Sequence, residues 1–231
     1  MSTVGPDPTQ VGLVGAGRLA KALSLRISAD TDLVAVSRRP GRLARQSGQP
    51  DLIVSADPAD VAGAGLILLA VPAGEIAAAM RWLAPHLAVT AVVVNMATEL
   101  ATASVASQLP GHRVIACKVV GQAGEIAYGT PAALIVSGAT APEARLVAAA
   151  LAGVGPVVVA DETVAAQVNE LVARRIVTAR AALVDELDRI AVPDTIARAA
   201  VGNVAVGVLR ALSNGTAGPY LRRILREMTG G

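Results

Sequence analysis

Phenylalanine is absent from these 231 residues, and Trp82, Tyr128 and Tyr220 are the whole aromatic complement. A chain that is 53% apolar and so poor in rings must fill its core with Ala, Val, Leu and Ile. The single cysteine, Cys117, excludes an intramolecular disulfide and a cysteine-based metal cluster. His86 and His112 are the only histidines and stand outside any metal-type spacing, so no metal site is expected. Excess charge is also lacking: the formal net charge is +2, and the basic residues fall in short scattered pairs rather than a stripe interleaved with aromatics. Nucleic acid is therefore not an expected partner. The N-terminus, with Pro6, Asp7 and Pro8, has no apolar leader, and the run Ala64 to Ala73 is too short to span a bilayer, so no membrane partner is expected. That run reads instead as a buried parallel strand. A reduced, cytoplasmic setting fits this composition.

What the chain does have is a glycine turn. Gln10 to Val14 is a short apolar run, and Arg18 to Ser28 carries apolar residues at Leu19, Ala22, Leu23 and Ile27, a helical period. Between them Gly15, Gly17 and Ala20 occupy the three small-residue positions of G-x-G-x-x-G/A. Gly15 permits the tight turn, Gly17 lets backbone approach a pyrophosphate, and Ala20 lets helix and strand pack closely. Gly15, Ala16, Gly17, Arg18 and Leu19 thus form a candidate phosphate cradle at a helix N-terminus. A second strand, Leu33 to Val36, ends about 20 residues beyond the turn, where an NAD-preferring site places an acidic residue on the ribose 2′-hydroxyl. Here stand Ser37, Arg38 and Arg39, a hydroxyl and two guanidinium groups suited to a 2′-phosphate. NADPH is the expected cofactor.

The remaining pattern alternates strands and helices. After a helix around Gly41 to Gln46, strands are expected at Leu52 to Val54, Leu66 to Ala70, Thr90 to Val94, Arg113 to Cys117, Ala132 to Ser137 and Val157 to Ala160. Helices are expected at Gly74 to Leu83, Thr102 to Gln108 and Pro142 to Ala152. This is an α/β, Rossmann-type doubly wound sheet of about eight strands. Ala70, Val71, Pro72, Asn95 and Met96 fall at the carboxyl ends of strands, the ligand edge of such a sheet. From Glu162 on there are only helices: Glu162 to Ile190, Pro193 to Ser213 and Ala217 to Met228. The chain divides into a dinucleotide domain, 1–160, and a C-terminal all-helical domain, 161–231. The middle helix is apolar on most faces, which points to a homodimer in which a second subunit covers it.

The run Gly12 to Ala20, with Ser37-Arg38 and Leu69-Ala70-Val71-Pro72, resembles the NADP-binding domain shared by pyrroline-5-carboxylate reductases and deazaflavin (coenzyme F-420)-dependent NADP oxidoreductases. Leu109 to Lys118 is similar to the strand by which the deazaflavin-dependent members close their nicotinamide pocket. Ala182 to Leu187, Ile190 to Ala197 and Gly207 to Leu209 resemble the helical dimerisation domain of the pyrroline-5-carboxylate reductases. The Met-Pro-Asn-Thr-Pro motif of those reductases is replaced by Cys117-Lys118-Val119-Val120-Gly121. Their Gly-Ser-Gly-Pro-Ala motif is replaced by Ala165 to Glu170. Related hydroxyacid dehydrogenases use a Lys-x-x-Asn pair, and here Asn169 stands with Ala166 in the lysine position.

Three functions fit these residues. The first is an NADPH-dependent oxidoreductase passing hydride to a small imine or carbonyl substrate. The second is an NADP:deazaflavin oxidoreductase, and the third a non-catalytic NADP(H)-binding sensor. Lys118, Tyr128 and Asn169 are the candidate catalytic residues. Lys118 would end a strand at the ligand edge, free to hold a substrate carboxylate or donate a proton; Tyr128 could donate a proton. Thr98, Gln122, Glu125 and Arg174 are further polar groups within expected reach of the cleft. Trp82 reads as a helix residue packed against the sheet, and Cys117 as an inert core residue.

Overall fold

The computed structural model describes residues 7–27, 31–41, 43 and 52–229. Eight strands form one sheet in the order β3-β2-β1-β4-β5-β6-β7-β8. They are β1 (Asp7–Val14), β2 (Asp32–Val36), β3 (Ile53–Ser55), β4 (Ala64–Leu69), β5 (Val92–Asn95), β6 (Arg113–Val120), β7 (Ala133–Ser137) and β8 (Val157–Val159). All neighbours pair in parallel except β6 and β7. The order reverses between β1 and β4, which makes their carboxyl ends the switch point where a ligand crevice forms.

Strand alternation sorts the side chains into two cores. Leu13, Leu68, Val94, Cys117 and Leu134 pack on one face with α1 (Arg18–Arg26). Val14, Val36, Leu69 and Val93 pack on the other with Met80 and Leu83 of α2 (Ile76–Leu83). Both faces are buried, as a parallel sheet requires. Two short helices follow, α3 (Thr102–Ala106) and α4 (Ala123–Tyr128). Next comes α5 (Ala141–Ala150), where Thr140 and Glu143 form a capping box and Pro142 sits in the first turn. The periodicity did not announce α4. It begins where Gln122 accepts hydrogen bonds from the amides of Gly124 and Glu125, and ends at Gly129 with φ 96°. The expected helix around Gly41 to Gln46 falls largely outside the described residues.

One boundary alters a functional expectation. The run expected to stop at Cys117 continues to Val120, because β7 returns antiparallel and pairs Lys118 with Ile135. Lys118 is therefore inside a strand rather than at its end.

The chain forms two compact units that meet at Asn169/Glu170, nine residues beyond the expected boundary. The reason is that the first turns of α6 (Thr163–Arg189) bury Ala165 and tie Asn169 to the first unit. The second unit contains the rest of α6, α7 (Asp194–Ala199), a π-helical stretch (Ala200–Ala205), α8 (Val206–Ser213) and α9 (Pro219–Thr229). Asp194–Ser213 has a mean hydropathy of 1.3 with none of its apolar window buried, and by length and composition it is apolar enough to cross a membrane. The run Ala64 to Ala73, read as a buried parallel strand, forms β4 and the turn after it.

Candidate active site

The glycine turn has the geometry its composition implies. Gly15 has φ +127°, and a Cβ there would lie 2.5 Å from the carbonyl oxygen of Ala70, so only glycine fits. At Gly17 an added Cβ would meet nothing within 4 Å: the backbone faces open space. Gly17 is also the N-cap of α1, with no side-chain cap and no acidic residue in the first turn. This leaves an uncapped, positive helix end bordering a crevice, the environment a pyrophosphate needs.

Two cavities meet at this turn, sharing Gly17, Val71 and Pro72. The first, about 350 Å³, is lined by Gly15, Ala16, Ser37, Arg38 and Arg39, and by Glu75, Ala79 and Trp82 from the opposite side. Ser37 is buried; its amide donates to Ser55 O at 2.9 Å, and its Oγ accepts from the Arg39 amide at 3.1 Å. These bonds hold the loop after β2 with both arginines exposed at the cavity. Arg38 donates to the Glu75 carboxylate across it. The residues fit a phosphorylated adenosine ribose: hydroxyl and guanidinium donors beside a flat indole, at the end of the second strand.

The second cavity, about 470 Å³, is lined by Arg18, Leu19, Ala70, Met96, Ala97, Thr98, Glu99 and Gln122. It lies past the first helix turn, where a dinucleotide bound over Gly17 would place its nicotinamide. Its titratable lining residues are Arg18 and Glu99.

Of the polar residues expected to reach this cavity, Thr98 and Gln122 line it, whereas Lys118, Asn95 and Tyr128 do not. Lys118 is 1% exposed, and its Nζ donates to Ala97 O at 2.6 Å and Leu100 O at 2.8 Å and lies 3.4 Å from Glu162. The alternation explains this: Cys117 and Val119 face one core, so Lys118 faces the other, where the 97–100 loop descends. Burial lowers the Lys118 pKa, with attraction to Glu162 opposing that shift. Burial pushes the Glu162 carboxyl up, but hydrogen bonds from Thr102 and the nearby Lys118 ammonium outweigh it and bring it below its ordinary value. Thr102 donates to Glu162 from its amide at 2.9 Å and its hydroxyl at 2.6 Å.

Asn95, expected at the cofactor, is fully buried. Its Nδ2 donates to Leu100 O at 2.8 Å and to Thr102 Oγ1 at 3.1 Å, while its Oδ1 accepts from the Ala97 amide at 3.0 Å. Asn169 donates to Val119 O at 2.8 Å. These groups are a brace behind the wall formed by Met96, Ala97, Thr98 and Glu99. Tyr128 is 86% exposed at the end of α4 and lines neither cavity. Glu125 accepts from Thr130, and Arg174 pairs with Glu170 one turn away on the exposed face of α6. Lys118 and Asn95 thus leave the list of substrate- or cofactor-touching side chains, because both are buried with their polar atoms bonded inside the protein, while Asn169 commits its Nδ2 to Val119 O. Glu75 and Trp82 join the first cavity; the sequence places them on a helix without showing that its first turns face β2.

Residues 10–99 match the family described as NADP oxidoreductase, coenzyme F420-dependent. A glycerol-3-phosphate dehydrogenase [NAD(P)+] of Rhizobium etli (strain CIAT 652) is 27% identical over 166 residues, covering 62% of this chain and 51% of that protein. The chain therefore spans about half the length of this curated relative. A pyrroline-5-carboxylate reductase from Coxiella burnetii superposes with a TM-score of 0.70 at 16% identity, covering 97% of this chain and 87% of the other. The pyrroline carboxylate reductase of Plasmodium falciparum, solved with NADP bound, gives 0.62 at 11% identity, covering 98% and 91%. At these identities the structural likenesses establish the fold. The relatives have NAD(P)-dependent oxidoreduction in common, and their substrates differ.

Proposed function

We propose that this chain is an NADPH-dependent oxidoreductase that passes hydride to a small imine or carbonyl substrate. The observation that carries the reading is the two-part crevice over Gly17. One part presents Ser37, Arg38 and Arg39 where a 2′-phosphate would lie, and the other is large enough for a nicotinamide and a small acceptor. The bound nicotinamide supplies the hydride chemistry. The protein's own part is positional. The uncapped end of α1 and Gly17 hold the pyrophosphate. The arginines after β2 hold the ribose phosphate. The wall braced by Lys118, Glu162, Asn95 and Thr102 fixes the distance to the acceptor.

An observation also favours a second reading, NADP:deazaflavin oxidoreduction. Among the described residues lining the second cavity, Glu99 is the one carboxyl group and Arg18 the one cation. Hydride exchange between two carriers needs no strong protein acid. The reading is decided by following NADPH absorbance with a panel of cyclic imines, ketones and a deazaflavin. Oxidation by an imine or ketone supports the first reading, and oxidation by the deazaflavin alone the second. Tight NADPH binding without oxidation by any of them would identify a non-catalytic NADP(H)-binding protein.

The partner proposed for the second unit is another copy of this chain. Leu171, Val172, Ile176, Ile196, Val204 and Leu209 are exposed there, and exposed apolar surface of this kind supports an interface. Sedimentation should give a dimer in detergent-free buffer; a monomer, or material extracted only with detergent, would refute this.

A further inference from the structure

We infer that Glu75 sets the selectivity of the adenosine cavity between a phosphorylated and an unphosphorylated ribose, acting through Arg38. This inference rests on the NADPH reading and names a residue that the glycine and arginine motifs do not. Arg38 follows β2 and Glu75 immediately precedes α2, so the two come from opposite sides of the first cavity, line it together and are joined by an ion pair. Both side chains are about half exposed, 56% and 51%, so the pair can exchange partners with an incoming anion without unfolding anything. The Arg38 bond to Glu75 uses one terminal amino group of a five-donor guanidinium.

A ribose 2′-phosphate on Arg38 must therefore share the guanidinium with a carboxylate already holding it, and meets that carboxylate's charge while doing so. An unphosphorylated ribose meets no such competition. Glu75 thus lowers affinity for the phosphorylated nucleotide and leaves the other nearly unaffected.

The test is calorimetric titration of NADP+ and NAD+ into the full chain and into Glu75→Gln, Arg38→Ala and the double variant. Exposed ion pairs contribute up to about 1 kcal/mol, so Glu75→Gln should tighten NADP+ binding by roughly two- to fivefold. NAD+ binding should change by less than about 1.5-fold, and in the Arg38→Ala background the gain on NADP+ should shrink to less than about 1.5-fold. Weaker NADP+ binding in Glu75→Gln, an equal shift for both nucleotides, or a gain undiminished without Arg38 would each overturn the inference. A wild-type chain that prefers NAD+, or binds neither nucleotide, would instead overturn the NADPH reading and the inference with it.

Discussion

The two halves of the crevice use polar side chains in opposite ways. In the adenosine half, Arg38, Arg39 and Glu75 are exposed and face the cavity. In the half that the proposed reading gives to the nicotinamide, Lys118, Asn95 and Glu162 turn inward, although Arg18, Glu99 and Gln122 still line the cavity. Lys118, Asn95 and Glu162 hold the carbonyls of Ala97 and Leu100 and the backbone and hydroxyl of Thr102, while the cavity itself is walled by Leu19, Met96, Ala97 and Thr98. Recognition of a charged ligand calls for solvated, exchangeable partners. Holding a planar ring at a fixed distance calls for a wall that does not move. The difference explains why the cofactor half carries a readable signature and the substrate half does not.

The largest test of this contrast is to break the brace. Replacing Lys118 with Met leaves two carbonyls and the Glu162 carboxylate without their buried cation, and should cost about 3 kcal/mol of stability, seen as a lower urea midpoint. A loss under about 1 kcal/mol would mean that Lys118 is not structural. Next in size is Arg38→Ala. Losing charge-assisted bonds to a phosphate should weaken NADPH binding by roughly ten- to a hundredfold with NADH little changed. Equal losses for both nucleotides would move the 2′-phosphate away from Arg38.

A third variant calibrates what a partly buried pair contributes outside both cavities. Arg113 Nε lies 2.7 Å from Glu143, whose carboxyl is held down to about 2 first by that hydrogen bond and then by Thr140. A depressed folded-state value means the stabilisation is present above the unfolded carboxyl's ordinary range and is lost as the pH falls toward about 2. Glu143→Gln should therefore be about 1 kcal/mol less stable at neutral pH, because solvent screens Arg113, and the gap to wild type should close between about pH 4.5 and about pH 2. A gap independent of pH would contradict the depressed Glu143 value. The smallest expected effect is chemical. Burial pushes the Cys117 thiol up to about 12, so the native chain should not react with a thiol reagent at neutral pH and the unfolded chain should.

The glycine turn, the β2 end and the alternation of strands with helices were legible because each is a local pattern with a local cause. The π-helical interruption at Ala200–Ala205 was not, because a run of small apolar residues has the same composition in either helix. Lys118 was misread for a different reason. Its run of apolar neighbours fixes the strand, but the strand's length depends on β7, and the groups that neutralise its charge come from residues 97–100 and 162. Trp82 and Glu75 were legible only as helix residues; what they face follows from packing between elements far apart in sequence.

The central claim is that NADPH lies along this crevice with its adenosine end between Arg38 and Trp82. Trp82 is the only tryptophan, so its emission reports on that cavity alone. Titrating the intact chain with NADPH and NADH in parallel should quench that emission, with NADPH saturating at a concentration at least about tenfold lower. Equal or tighter binding of NADH, or saturable binding of NADPH that leaves the Trp82 emission unchanged, would contradict the account.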